Sequence, residues 1–298
     1  MNESNYQSGF IAIVGAPNVG KSTLLNQILG QKVSIISKKP QTTRNRVSGI
    51  YHRPDCQMIF LDTPGIHISN RLLNQRMVEI AFSAVSDVDI LLIVVDTTHP
   101  DESSEKCLFE KLKEHQNPVI LALNKIDSLQ KESLLPMIQS YARRYPFKAI
   151  VPISAKTGDQ VDQLLKEMKA FLPKGPAYYP EDHITDLPER FIASEIIREK
   201  IFQLTDKEVP YAVAVTIEQF KESSDGRIIH IHGIIHVERD SQKGIIIGKN
   251  GAMLKRIGTR ARKEIERMVG IQVMLKLFVK VQKNWASNEK ALSEFGYE

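Results

Sequence analysis

The chain has 298 residues, a net charge of +5, 42% apolar and 25% charged residues, and two cysteines. These values exclude a disordered polyelectrolyte and a disulfide-stapled small fold, and they allow two ordinary domains with separate cores. The longest apolar runs, such as 90–95, fall far short of the ~18 residues of a membrane helix, and the polar first nine residues do not read as a signal peptide.

Cys56 and Cys107 lie far apart and form no ligand spacing, so a reducing, cytosolic setting without thiol or zinc chemistry is expected. Charge is uneven. From Ser241 to Glu298 there are twelve basic and five acidic residues, which leaves the rest of the chain slightly acidic. A polyanionic partner for the C-terminal part is the corresponding expectation.

In chain order, Phe10–Val14 reads as a buried strand. It runs into Gly15-Ala-Pro-Asn-Val-Gly20-Lys21-Ser22, and Ser22–Leu29 reads as a helix. Strand, glycine loop and helix make the G-x-x-x-x-G-K-S motif credible as a phosphate cradle. Gly15 and Gly20 let backbone N–H groups face one anion, Lys21 reaches outer phosphates, and the Ser22 hydroxyl suits magnesium. The helix N-terminus adds partial positive charge. Asn18, Val19 and Thr23 complete the candidate nucleotide-binding set here.

Residues 33–46 are polar and turn-like, and hold Thr42 and Thr43 just before a strand, Val47–His52. A threonine there can coordinate magnesium beside a γ-phosphate, as a nucleotide switch requires. The next strand, Gln57–Leu61, ends in Asp62-Thr-Pro-Gly65. Asp62 can accept from magnesium-bound water, and the Gly65 N–H can meet the γ-phosphate. Lys21, Thr42, Thr43 and Gly65 are thus the catalytic candidates, and Ser22, Thr42, Thr43 and Asp62 the metal candidates.

Helices are predicted over Leu72–Val85, Glu105–Glu114, Leu134–Tyr145 and Val161–Phe171, and strands over Ile90–Asp96, Pro118–Leu123 and Ala149–Ile153. Asn124-Lys125-Ile-Asp127 follows at the end of the strand Pro118–Leu123. Asp127 can accept from the N1–H and 2-amino group of guanine, a donor pair adenine lacks. Asn124 can brace loop and base, and the Lys125 stem can cover the ring. Ser154, Ala155 and Lys156 follow the next strand and can offer a backbone N–H to guanine O6. Alternating strands and helices predict a mostly parallel sheet with helices on both faces, with the ligand motifs along one edge.

Residues 172–180 hold three prolines and a glycine, which places a boundary there. The expected division is 1–172, a linker 173–188 that is extended and exposed toward its end, and 189–298. Glu189–Leu204 reads as an amphipathic helix. The period then changes to two: Tyr211, Val213, Val215 and Ile217, then Ile229, Ile231, Gly233, Ile235 and Val237, with a turn at 221–226. His230, His232 and His236 fall on the other strand face and are expected to be half-exposed.

Gly248-Lys249-Asn250-Gly251 precedes a long helix. Leu254, Ile257, Ala261, Ile265 and Met268 share one face, and Arg256, Arg260, Lys263 and Arg267 the opposite one. A G-x-x-G loop lets a nucleic-acid backbone approach and clamps about four unpaired nucleotides. Gly248, Lys249, Asn250, Gly251, Arg256, Arg260 and Lys263 are the RNA-binding candidates. A strand at Val273–Val281 closes a helix-strand-strand-helix-helix-strand unit, the order of the type II KH arrangement. Trp285 is expected to anchor a terminal helix, 286–295.

The order of the motifs from Gly15–Ser22 to Ser154–Lys156 resembles the translation-factor-type small GTPases. Joined to the unit carrying Gly248–Gly251, and with Pro40–Arg44 and Glu238–Gly244, it is similar to the Era/TrmE-like GTPases that carry a C-terminal KH domain. The resemblance covers nearly the whole chain. It implies a Ras-like P-loop NTPase fold followed by an α+β KH unit, GTP and GDP with Mg2+ as cofactors, and slow hydrolysis. It also implies a role in small ribosomal subunit assembly through the unpaired 3′ end of the small-subunit ribosomal RNA. A cytoplasmic location, with peripheral contact at the inner membrane surface, belongs to the same expectation; the sequence shows no evident symmetric interface, so a monomer is expected. Asn18 occupies the position that potassium-activated relatives use, which makes K+ a candidate cofactor. Ras-like enzymes place glutamine after the Asp-x-x-Gly glycine; here it is Ile66, which is unable to orient water. Two alternatives remain open on the residues: an ATP-dependent phosphotransferase, and an RNA-binding assembly protein whose nucleotide is structural.

Overall fold

The computed structural model describes residues 5–37, 39–66, 72–112 and 115–297. It divides into two compact units, 1–70 with 74–186, and 71–73 with 187–298.

The first unit is built on a six-stranded sheet. Its strands are β1 (Gln7–Val14), β2 (Val47–Arg53), β3 (Cys56–Asp62), β4 (Ile90–Asp96), β5 (Val119–Asn124) and β6 (Ala149–Pro152), in the order β2-β3-β1-β4-β5-β6. β2 is antiparallel to β3, and the other pairs are parallel. The order reverses at β1, which has β3 on one side and β4 on the other, and such reversals open a ligand crevice at the strand C-termini. β4 is buried along its whole length, as central parallel strands are. The register places Ile13 beside Asp62 and Asp96 beside Asn124, so residues from four strands converge on one edge.

The helices are α1 (Lys21–Leu29), α2 (Leu72–Ser86), α3 (Glu102–Lys111), α4 (Leu134–Arg144) and α5 (Val161–Lys169). α3 begins three residues before its predicted start, because the Asp101 carboxylate accepts from the Ser104 N–H and caps it at 3.1 Å. Its predicted end at 113–114 lies outside the described residues.

The segment 173–186, read from its prolines as a linker, is bonded along the first unit. Ser8 N–H donates to the Pro173 carbonyl (3.1 Å) and Ile50 N–H to the Ile184 carbonyl (2.7 Å). The buried Gln57 side chain accepts from the Tyr178 and Tyr179 N–H groups. The backbone polar groups of this stretch find partners on buried residues of β1, β2 and β3, which proline content alone does not reveal.

The second unit contains α6 (Glu189–Leu204), β7 (Ala214–Glu222), β8 (Ile228–Val237), α7 (Asp240–Ile247), α8 (Ala252–Val269), β9 (Gln272–Val281) and α9 (Glu289–Glu294). β7 and β8 are antiparallel, and β8 and β9 parallel. One core joins Ile196, Ile197 and Ile201 of α6, Ile231 and Ile235 of β8, and Ile257, Ala261 and Ile265 of α8.

Four expectations change here. α6 is buried nearly all round, not amphipathic, because its charges pair internally: Arg198 with Glu195, and Lys200 with Glu199 and with Glu264 of α8. Tyr211 and Val213 precede β7 in a short 3-10 turn and its exit. The terminal helix is broken at Asn288, whose side chain caps α9 by accepting from the Ala291 N–H. Trp285 does anchor it, fully buried with its indole N–H on the Ala212 carbonyl at 3.1 Å.

His236 is buried, not half-exposed. Its ring lies 4.3 Å from that of Phe295, and Thr216 Oγ1 is 2.9 Å from its Nε2. Burial, with the nearby Lys280, pushes its pKa below the ordinary 6.5 despite Gln282 and Glu218. In the window just below 6.5 the unfolded chain therefore holds a proton that the folded chain does not. Stability is full above that window and is lost as pH falls through the folded value, by at most about 1.4 kcal/mol per pH unit. Denaturant unfolding followed by Trp285 fluorescence should show this slope, and His236→Gln should flatten it.

Candidate functional site

β1 delivers the phosphate loop to the sheet edge. Gly20 has φ 102°, and a Cβ there would run into the Asn124 amide, so only glycine fits. Ala16 and Val19 are buried, and Asn18 adopts the left-handed region at φ 63°. Lys21 is buried and folds onto the loop, donating to the Gly15 and Ala16 carbonyls at 3.0 and 2.8 Å. Burial lowers its pKa to about 8, against the pull of Asp62. An anion in the cradle would raise this pKa again and draw the ammonium off these carbonyls. Thr23 is half-buried in the first turn of α1.

Beside the loop the oxygens of four side chains converge. Ser22 Oγ donates to Asp62 Oδ2 at 2.6 Å and lies 2.8 Å from Thr43 Oγ1. Ser34 donates to the same carboxylate oxygen at 2.9 Å. Asp62 Oδ1 is buried with no hydrogen-bond partner among the described residues. Burial raises the Asp62 pKa, opposed by Ser22, Lys21 and Ser34. A buried carboxylate with one orphaned oxygen, flanked by two hydroxyls, is a hard oxygen set that fits Mg2+. Thr42 is turned elsewhere, donating to the Lys39 carbonyl at 2.7 Å. Of the two candidate threonines, the fold brings Thr43 to this cluster.

Gly65 packs on the phosphate loop so closely that a Cβ would lie 2.7 Å from Pro17 Cα. The next residue, Ile66, donates its N–H to the Gly15 carbonyl at 3.1 Å and buries its side chain in the core. That buried hydrocarbon side chain offers no group to orient an attacking water. Residues 67–71, which follow this motif, lie outside the described residues.

The other end of the edge is braced by Asn124. Its amide donates to the Val19 carbonyl at 2.7 Å, and its Oδ1 accepts from the Ala155 N–H at 2.9 Å. One buried side chain thus ties the phosphate loop to the Ser154–Lys156 loop. Lys125 has φ 72° and pairs with Asp96. Burial alone would raise the Asp96 carboxyl, but hydrogen bonds from Lys125 and Thr98 hold it below the usual range. Asp127 is exposed. The Ser154 hydroxyl donates to its Oδ1 at 2.8 Å and, as the main cause, keeps its pKa low. The result is an ionised carboxylate held open as a double acceptor. Ser34 and Asp96 were missed in the sequence. Asp96 had a signal, as an acid ending a fully apolar strand; Ser34 had none.

In the second unit the G-x-x-G residues Gly248, Lys249, Asn250 and Gly251 link α7 to α8, with Lys249 and Asn250 exposed. A groove of about 510 Å3 runs from Gly251 between α8 and β9, lined by Leu254, Lys255, Gly258 and Arg262 on one side and Leu275 and Leu277 on the other. Arg256, Arg260 and Lys263 are exposed on another face, turned by roughly 120–180° at about 100° per residue from the groove face. Gly258 was the overlooked signal: a glycine inside a helix costs about 1 kcal/mol against alanine and marks a close approach.

These features define a P-loop GTPase joined to a KH domain. The model of the 50S ribosome-binding GTPase family matches residues 10–125, and that of the KH domain matches residues 208–286. The chain is 54% identical over 298 residues to GTPase Era of Geotalea uraniireducens and 52% identical over 297 residues to GTPase Era of Geobacter metallireducens, covering all of both chains in each case. A crystal structure of Era in complex with MgGDPNP and nucleotides 1506–1542 of 16S ribosomal RNA matches with a TM-score of 0.95 at 44% identity, over 98% of this chain and 99% of that one. A variant of Aquifex aeolicus Era bound to GDP.AlF4- matches with a TM-score of 0.93, at the same identity and coverage. The chain belongs to the GTPase Era family.

Proposed function

We propose that this GTPase is a switch that grips the unpaired 3′ end of the small-subunit ribosomal RNA during assembly of that subunit. One observation carries the reading. A guanine-nucleotide edge and a G-x-x-G groove occupy one chain that superposes along nearly its full length on an Era holding MgGDPNP and 16S ribosomal RNA.

In this reading the loop 15–23 cradles the phosphates, with Lys21 on the outer ones and the Gly65 N–H at the γ-phosphate. Ser22, Thr43 and Asp62 hold the metal. Magnesium, when bound, neutralises charge on the phosphate oxygens. Asn124, Lys125, Asp127 and the 154–156 loop hold the base. Ile66 supplies no water-orienting group, so hydrolysis by the protein alone is slow, and K+ at Asn18 or bound RNA raises it. The proposal includes a cytoplasmic monomer that touches the inner membrane surface peripherally. Among the described residues no helix is long and apolar enough to cross a membrane.

Two measurements test it. Excess ATP should leave GTP bound; displacement at equal concentrations would favour an ATP-dependent phosphotransferase. The RNA 1506–1542 should bind more tightly with GDPNP than with GDP, and by linkage should favour the GTP state. Equal affinity with either nucleotide and with none would make the nucleotide structural.

A further inference from the structure

β9 is an edge strand with two different faces. Leu275 and Leu277 point into the α8–β9 groove. Met274, Lys276, Phe278 and Lys280 stand on the opposite face of the sheet, away from α6 and α8, and all four are exposed, Phe278 at 58%; Phe295 covers this face only at His236, beside Lys280. The register continues this open face across β8. Met274 lies beside His230, Lys276 beside His232, and Phe278 beside Ile234. On β7, Lys221 lies beside His230 and Gln219 beside His232. The acid bordering this face is Glu218, exposed at the bulge of β7.

We propose that this open sheet face is a second RNA surface, taking unpaired bases on Phe278 and their phosphates on Lys276 and Lys280. The inference rests on the reading of the groove as an RNA site. Three features favour that ligand. An exposed aromatic on a flat sheet is a stacking platform for bases. Alternate side chains on a strand are about 7 Å apart, so each apolar contact along β9 is flanked by a cation. The two surfaces also share one edge strand, so RNA leaving the groove over β9 reaches the platform directly. A lipid surface fits less well, because Lys276 separates Met274 from Phe278 and leaves no continuous apolar face to embed.

The test uses the full chain and two probes: RNA 1506–1542, and a piece of about four unpaired nucleotides that fills only the groove. Phe278→Ala combined with Lys276→Ala should weaken the long RNA roughly tenfold or more and leave the short one unchanged. Phe278→Trp should keep affinity, and its fluorescence should be quenched by the long RNA against the constant background of buried Trp285. An unquenched Trp, or an unchanged affinity for the long RNA in the double variant, overturns the proposal. So does loss of binding to phosphatidylglycerol vesicles with RNA binding intact, which would assign the face to lipid. Gly258→Leu separates the two readings. If it weakens neither RNA, the groove reading fails, while the Phe278 comparison still reports on the sheet face.

Discussion

Asp127→Asn should abolish selection for GTP and create selection for xanthosine triphosphate. The Asp127 carboxylate is ionised and fixed by Ser154 at 2.8 Å. It offers two acceptors to the N1–H and 2-amino donors of guanine. An asparagine offers one acceptor and one donor, so the 2-amino group would face an N–H and lose its partner. Sites built to pair polar groups reject mispaired analogues by about 10^4-fold or more. Xanthine replaces the amino group with a carbonyl, which the new donor satisfies. Equilibrium titration with fluorescent GTP and xanthosine triphosphate checks both halves. Weak binding of both nucleotides would mean that the substitution has disordered the 124–128 loop. Unchanged GTP affinity would remove Asp127 from the base site.

The legible parts of this chain are those in which function is written locally. The phosphate loop, Asp62–Gly65 and Asn124–Asp127 each fall at a strand end, and the alternation of apolar strands with helices fixes which edge they share. What stayed hidden depends on partners distant in sequence. Thr42 and Thr43 are equivalent in the sequence, and only the path of residues 33–46 sends Thr43 to Ser22 and leaves Thr42 on Lys39. Ser34 joins Asp62 across 28 positions. The charges of α6 read as a wet face, yet Lys200 finds Glu264 on another helix. In α8 the visible basic stripe competes with a fainter one, since Lys255 and Arg262 are separated by a full two turns. Only β9 shows which stripe borders a groove.

That difference leads to the second large effect. Gly258→Leu should weaken binding of the 16S-type RNA by about 100-fold while leaving the fold intact or more stable. A Cβ at Gly258 would meet Leu277 Cδ1 at an ordinary 3.6 Å, so the backbone tolerates a side chain there. The rest of a leucine would then occupy the space between α8 and β9 that a nucleotide needs. Replacing glycine inside a helix also recovers up to about 1 kcal/mol of helix propensity. Lost RNA binding and raised stability together would separate a filled groove from a damaged fold. The charge variants extend the comparison. Removing Lys255 and Arg262 should lower the slope of log affinity against log salt by about 1.4, at roughly 0.7 per phosphate on a single strand. Removing Arg256, Arg260 and Lys263, which face away from the groove, should change affinity less and act only through long-range attraction, which fades within about 10 Å at 0.1 M salt. If the second set proved the more damaging, the RNA would have to cross the outer face of α8, and the groove between α8 and β9 would lose its role.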